Sequence, residues 1–159
     1  MNFIHKTARV PISSDQILTL NSVPVEILAG TPGSIINIYS LYLRLFHGDT
    51  PYNPQTDDVF VFYLGNPNNT TLISFGSSPG GARATGFVDQ TQDMSCWLMP
   101  FMCGDGNSDA SADLTVDILG SGLWLTQFTG PTGNFPSGTD WTQGDGTLLA
   151  LVEYSVIQP

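Results

Sequence analysis

Gly76-Ser77-Ser78-Pro79-Gly80 has the G-x-S-x-G spacing of a nucleophile elbow. In such an elbow a strained strand-to-helix turn presents a serine hydroxyl to a histidine base that follows it in the chain. Both histidines, His5 and His47, precede this serine, and its flanks are glycine-rich. The segment therefore reads as a Ser/Gly/Pro turn. Asp105, Asn107, Asp109 and Asp113 alternate oxygen ligands as a calcium loop does. However, Ala110 stands where the tight turn needs glycine, and Val116 where the closing bidentate glutamate belongs. The expectation is a solvated acidic loop, with a looser calcium site as the alternative. Asp57, Asp58, Asp140 and Glu153 could supply carboxylates for glycoside hydrolysis, which needs two of them facing across a cleft. Adjacent Asp57 and Asp58 would point to opposite faces of a strand. The single lysine, Lys6, lies in no phosphate-cradling loop, and no zinc-ligand spacing occurs. The reading is a chain with no catalytic set, no cofactor and no metal.

Cys96 and Cys103 are too few for a disulfide framework. Buried free thiols are expected, with a hairpin disulfide as the alternative. A soft-metal site with Met94, Met99 and Met102 is the weakest reading, because methionine beside Trp97 and Phe101 is more often core filler.

The elements that would position any site come from composition and period. A chain of 159 residues is one domain's worth. Hydrophobic content of 41% supports a core, while charged content of 11% is less than half the usual ~25%. The formal net charge is −10. Residues 1–83 are near neutral, with five acids and four bases, whereas residues 84–159 carry nine acids and no base. That balance excludes nucleic-acid binding, which needs cations to displace phosphate counterions, and excludes a polybasic membrane module. Lys6 and Arg9 are followed by no apolar run, and no stretch reaches the ~18 apolar residues of a span. The expectation is a chain made in the cytosol with neither a secretory leader nor a membrane helix.

The dominant period is two. Asp113–Leu119 and Thr147–Ile157 alternate as half-buried strands, while Ser34–Phe46 and Asp57–Leu64 are apolar on both faces. Further strands are expected at Gln16–Leu20, Val23–Leu28, Thr71–Phe75, Ala84–Val88, Ser95–Met99 and Leu123–Phe128. Turn signals such as Thr31-Pro32-Gly33, Gly65-Asn66-Pro67 and Asp145-Gly146 separate them. The fold class predicted is all-β, an antiparallel two-sheet sandwich with helix content below about 10%. Gly130–Gly146 is a long loop carrying Phe135 and Trp141, each either pinned to the body or offered to a partner.

Leu20-Asn21-Ser22-Val23-Pro24-Val25-Glu26-Ile27-Leu28, the turn Ala29-Gly30-Thr31-Pro32-Gly33, the long strand Ile35–Phe46, Gly48, Pro51-Tyr52 and the strand Val59–Leu64 follow in order. This segment resembles small β-rich virion proteins of tailed bacteriophages. The resemblance covers about a third of the chain and stops near Thr71. It implies a jelly-roll subunit that decorates or cements a capsid, often as a trimer. Its partners would be its own copies and the major capsid or another virion protein. Its place would be the virion, assembled in the host cytoplasm. A fibre or spike head binding a receptor or glycan is the alternative, and a cellular carbohydrate-binding sandwich a further one.

Two contact regions are expected. The first is a homotrimer axis, because the two double-sided strands exceed what one sandwich covers; Tyr39, Phe60 and Phe62 are its candidates. The second is an N-terminal arm over residues 1–15, ahead of a sandwich domain over 16–159. Phe3, Ile4, Lys6 and Arg9 make this arm cationic and apolar, and Pro11 is expected to break regular structure. Such an arm should be removable without loss of the fold.

Overall fold

The computed structural model describes residues 5–55, 58–65, 73–75, 82–84, 86–98, 120–129 and 138–158. Nine strands and one short helix fall among them: β1 (Lys6–Ile12), α1 (Ser14–Leu18), β2 (Val25–Leu28), β3 (Ile35–Phe46), β4 (Asp58–Gly65), β5 (Ile73–Phe75), β6 (Ala82–Arg83), β7 (Met94–Leu98), β8 (Gly122–Thr129) and β9 (Thr147–Ile157). One sheet has the order β1-β9-β3-β7 and the other β2-β8-β4-β5, with β6 also on β4. Every pairing is antiparallel. First strand lies against last, β2 against β8, β3 against β7, and β4 against β5. Successive pairs fall in opposite sheets. That is a double ribbon rolled up once, the jelly-roll topology. The expected two-sheet sandwich is the observed fold.

Alternation explains which face each strand buries. Leu148, Ala150 and Val152 of β9 point inward, opposite Leu45, Leu43 and Leu41 of β3. From the other sheet Phe60, Phe62 and Leu64 of β4 meet them, beside Leu123 and Leu125 of β8. The double-sided look of β3 has a local cause. A register shift at Tyr39, between Ile38 and Ser40, re-phases the strand. Ile36 and Ile38 face inward before it, and Leu41, Leu43 and Leu45 after it. One buried face thus occupies even positions and then odd ones. The second face of β4 is covered by its own chain at Tyr63, which is buried opposite Trp124.

Three expectations are corrected. The irregular arm is, from Lys6 onward, strand β1, paired residue by residue with β9 from Lys6↔Tyr154 to Ile12↔Leu148. Ala8, Val10 and Ile12 alternate inward. Pro11 is tolerated because β1 is an edge strand, where one row of backbone groups needs no partner. The strand expected at Gln16–Leu20 is helix α1. Ser13 caps it: its Oγ accepts from the Gln16 amide at 3.3 Å, while Gln16 Oε1 accepts from the Ser13 amide at 3.0 Å. At Ala84–Val88 the chain turns instead. The amides of Phe87 and Val88 both donate to the Ala84 carbonyl, and Gly86 takes a left-handed φ of 87°. The strand expected at Asp113–Leu119, the Asp105–Asp113 loop, the serine turn at 76–80 and Cys103 lie outside the described residues.

Cys96 faces the core from β7 and is a free thiol. Burial pushes it up to about 11, against a smaller opposing effect of a backbone hydrogen bond at Leu43. The thiolate is the reactive form. Cys96 should therefore resist iodoacetamide at pH ~8 in the native protein and react once denaturant exposes it. Peptide mapping that finds Cys96 alkylated as fast in native as in denatured protein would contradict this placement.

Candidate interaction surface

The outer face of the β1-β9-β3-β7 sheet is built by the side chains that alternation turns away from the core. Register aligns one row straight across all four strands: Arg9, Leu151, Tyr42 and Trp97. Beside it run Pro11, Leu149, Arg44 and Ser95. Trp97 is 68% exposed and lies tilted against Tyr42, their ring centroids 4.9 Å apart. The Arg44 guanidinium sits 4.9 Å from the Phe46 ring centre and pairs with Asp93 at 3.4 Å. Both partners of that pair are about half exposed, so it orients the arginine more than it stabilises the fold. Towards the other end His5 stacks on Tyr39 at 4.3 Å, and the Tyr39 hydroxyl lies 2.9 Å from Ser155 Oγ. Ser40 donates to Glu153 at 3.1 Å. Among the described residues, four large hydrophobic side chains are prominently exposed; Tyr39, Phe46 and Trp97 of β3 and β7 are three of them. Lys6, Arg9 and Arg44 also lie on this sheet.

The loop end of the sandwich is organised differently. Trp141 is buried, and its indole Nε1 donates to Asp58 Oδ2 at 2.7 Å. The Gln55 amide donates to the same oxygen at 2.7 Å. The Trp141 ring packs against Tyr52 and Phe60. Tyr52 in turn donates to the Gly146 carbonyl at 2.6 Å. Gly144, at φ 130°, lets the chain pass over the Tyr52 ring, where a Cβ would collide with it. This knot pins the loop to the body. Asp15, Asp49 and Asp145 are exposed around it, and Asp145 holds the Thr50 amide at 2.8 Å.

Burial pushes the Tyr63 phenol up to about 12. It pushes Tyr52 up too, with the charges of Asp145 and then Asp15 adding to the shift. Unfolded phenols ionise near pH ~10. Folding therefore favours the neutral form, and this stability is complete below pH ~10 and is lost as pH rises through the folded values. The melting temperature should hold to about pH 9 and fall steadily from about pH 10 to 11. A melting temperature unchanged up to pH ~11 would contradict it.

The residues singled out from sequence are thus distributed. Lys6 and Arg9 lie on β1, and Tyr39 sits at the β3 bulge, 36% exposed. Phe60 and Phe62 are fully buried in the chain's own core, and Trp141 is pinned under the loop. None of these three is available to a second copy. Phe3, Ile4 and Phe135 lie outside the described residues. Sequence reading missed Trp97, Tyr42, Arg44, Phe46 and Leu151. The usable signal was the inward series Met94, Cys96, Leu98, which leaves Trp97 on the opposite face. Among the described residues no three His, Cys, Asp or Glu side chains gather to hold a metal ion. No known protein-family model matches the chain, and no curated protein matches it.

Proposed function

We propose that this chain is a structural subunit of a bacteriophage particle, a decoration or cement protein that assembles as a homotrimer and stabilises the head. The observation that carries the reading is the outer face of the β1-β9-β3-β7 sheet, where exposed Trp97 on the edge strand β7 ends a row with Tyr42, Leu151 and Arg9. Contiguous exposed aromatic surface rimmed by polar groups marks an interaction site. The jelly roll agrees with this reading, because capsid proteins use it, although lectins and cupins use it too. The acid-rich surface suits contact with proteins more than with nucleic acid or anionic membrane. Partners are its own copies and the major capsid protein, and the place of action is the virion, after synthesis in the host cytoplasm.

One observation favours a second reading. A tilted Trp97–Tyr42 pair is also what a receptor- or glycan-binding fibre head would display. Copy number separates the two. Quantitative mass spectrometry of purified particles should find tens to hundreds of copies for a cement protein. A handful of copies, with the protein in tail fractions, favours the fibre head. Absence from particles removes both.

A further inference from the structure

We infer that the outer face of the β1-β9-β3-β7 sheet seats a second copy of this chain head to tail, so that the copies close into a ring. The inference rests on the reading of the chain as a self-assembling subunit and adds where and how its copies meet. The centre of the face is apolar, with Leu151 between Arg9 and Tyr42 and with Trp97 at the end of the row. Three polar pairs on it satisfy one another: Ser40 with Glu153, Tyr39 with Ser155, and Arg44 with Asp93. A saccharide needs hydrogen-bonding groups beside the ring it stacks on. A face with several polar groups already paired, and with an aliphatic middle, fits protein better.

Charge decides which protein and in which orientation. Arg9 has no carboxylate partner among the described residues. A complementary acidic surface is on the chain itself, at the loop end. Asp15 and Asp145 are exposed at the loop end. Two copies meeting face to face about a two-fold axis that crosses the strands would set Arg9 against Arg9. Face onto acidic loop end avoids that repulsion and adds attraction. Such a contact joins two different surfaces, and it closes a ring where the rotation between successive copies adds up to a full turn, as three copies at 120° do. Size is consistent. Four strands at ~4.8 Å spacing and seven residues at ~3.3 Å give roughly 19 by 23 Å, a sizeable part of the ~800 Å² that each partner buries in a standard interface.

The test is light scattering on the full chain at about 100 µM and low salt. The expected result is a trimer. Trp97→Ser should raise the dissociation constant by about 30-fold or more and give monomers, with the circular dichroism spectrum unchanged. Arg9→Glu should weaken assembly, and added salt should weaken the wild type more than this variant. Each of these results would overturn the inference. One is Trp97→Ser assembling like the wild type. Another is Ser95→Cys copies cross-linking to each other through that residue, which would mean face-to-face packing. The last is a monomeric wild type whose tryptophan fluorescence is quenched, through Trp97, by host surface polysaccharide. A wild-type monomer that is nonetheless abundant on particles ends this inference and leaves the particle reading standing. A trimer absent from particles does the reverse.

Discussion

Trp141→Ala should remove about 5 kcal/mol of stability, approaching the whole stability of a modest domain. Two effects combine. Truncating a buried tryptophan leaves a cavity beside Tyr52 and Phe60 that costs about 3–5 kcal/mol. The Asp58 carboxylate, fully buried, also loses the indole donor at 2.7 Å. A hydrogen bond to a charged group contributes about 1.5–3 kcal/mol. Trp141→Phe separates the two effects, since it keeps a ring against Tyr52 and Phe60 and deletes only the donor. It should cost about 2 kcal/mol and lower the melting temperature by about 4–8 °C. Urea unfolding measures both. If Trp141→Phe unfolds at the wild-type midpoint, the indole–carboxylate bond does not hold the loop.

Deleting residues 1–12 should abolish soluble folded protein or lower its melting temperature by tens of degrees. The deletion strips β1 from β9 along its whole register and leaves β9 as a raw edge. It also withdraws Ile12, fully buried, together with Val10 and Ala8. Truncating a side chain such as Ile12 to alanine costs about 2–5 kcal/mol, against a total stability of about 5–15 kcal/mol. A merely tethered arm would come off with no change in melting temperature, so soluble yield and thermal melts of the truncated chain decide between the two. An unchanged melt would contradict the pairing of β1 with β9.

The difference between arm and strand shows what the residues make legible. The alternation Ala8, Val10, Ile12 is visible in the sequence, but seven residues with a proline are a weak signal until a neighbour is known. What makes Pro11 acceptable is the edge position of β1, a property of topology. The same holds for β3. Its residues read as apolar on both faces because nothing local announces the bulge at Tyr39 that shifts the buried series from Ile38 to Leu41. The trimer argument drawn from that double-sidedness therefore loses its footing at β3 and β4, while the outer face supplies a different one. Helix α1 was readable: Ser13 and Gln16 have capping-box spacing, and the apolar Ile17 and Leu20 suit a turn as well as a strand. The long strand at Thr147–Ile157 is found with the expected limits, because its period runs unbroken over eleven residues. The interaction surface was the least legible part. Trp97 draws notice only when Met94, Cys96 and Leu98 are known to be inward, and its row with Arg9, Leu151 and Tyr42 exists only through register between strands distant in sequence.

We propose that this jelly roll stabilises a phage head by binding it. Particles made without the protein, heated with and without purified full-length chain added back, test it directly. The account predicts that depleted particles release DNA at a lower temperature than complete ones. Added wild-type protein should restore the higher release temperature, and Trp97→Ser should restore it less. Depleted and complete particles that release DNA at the same temperature, with no binding of the added chain, would contradict it.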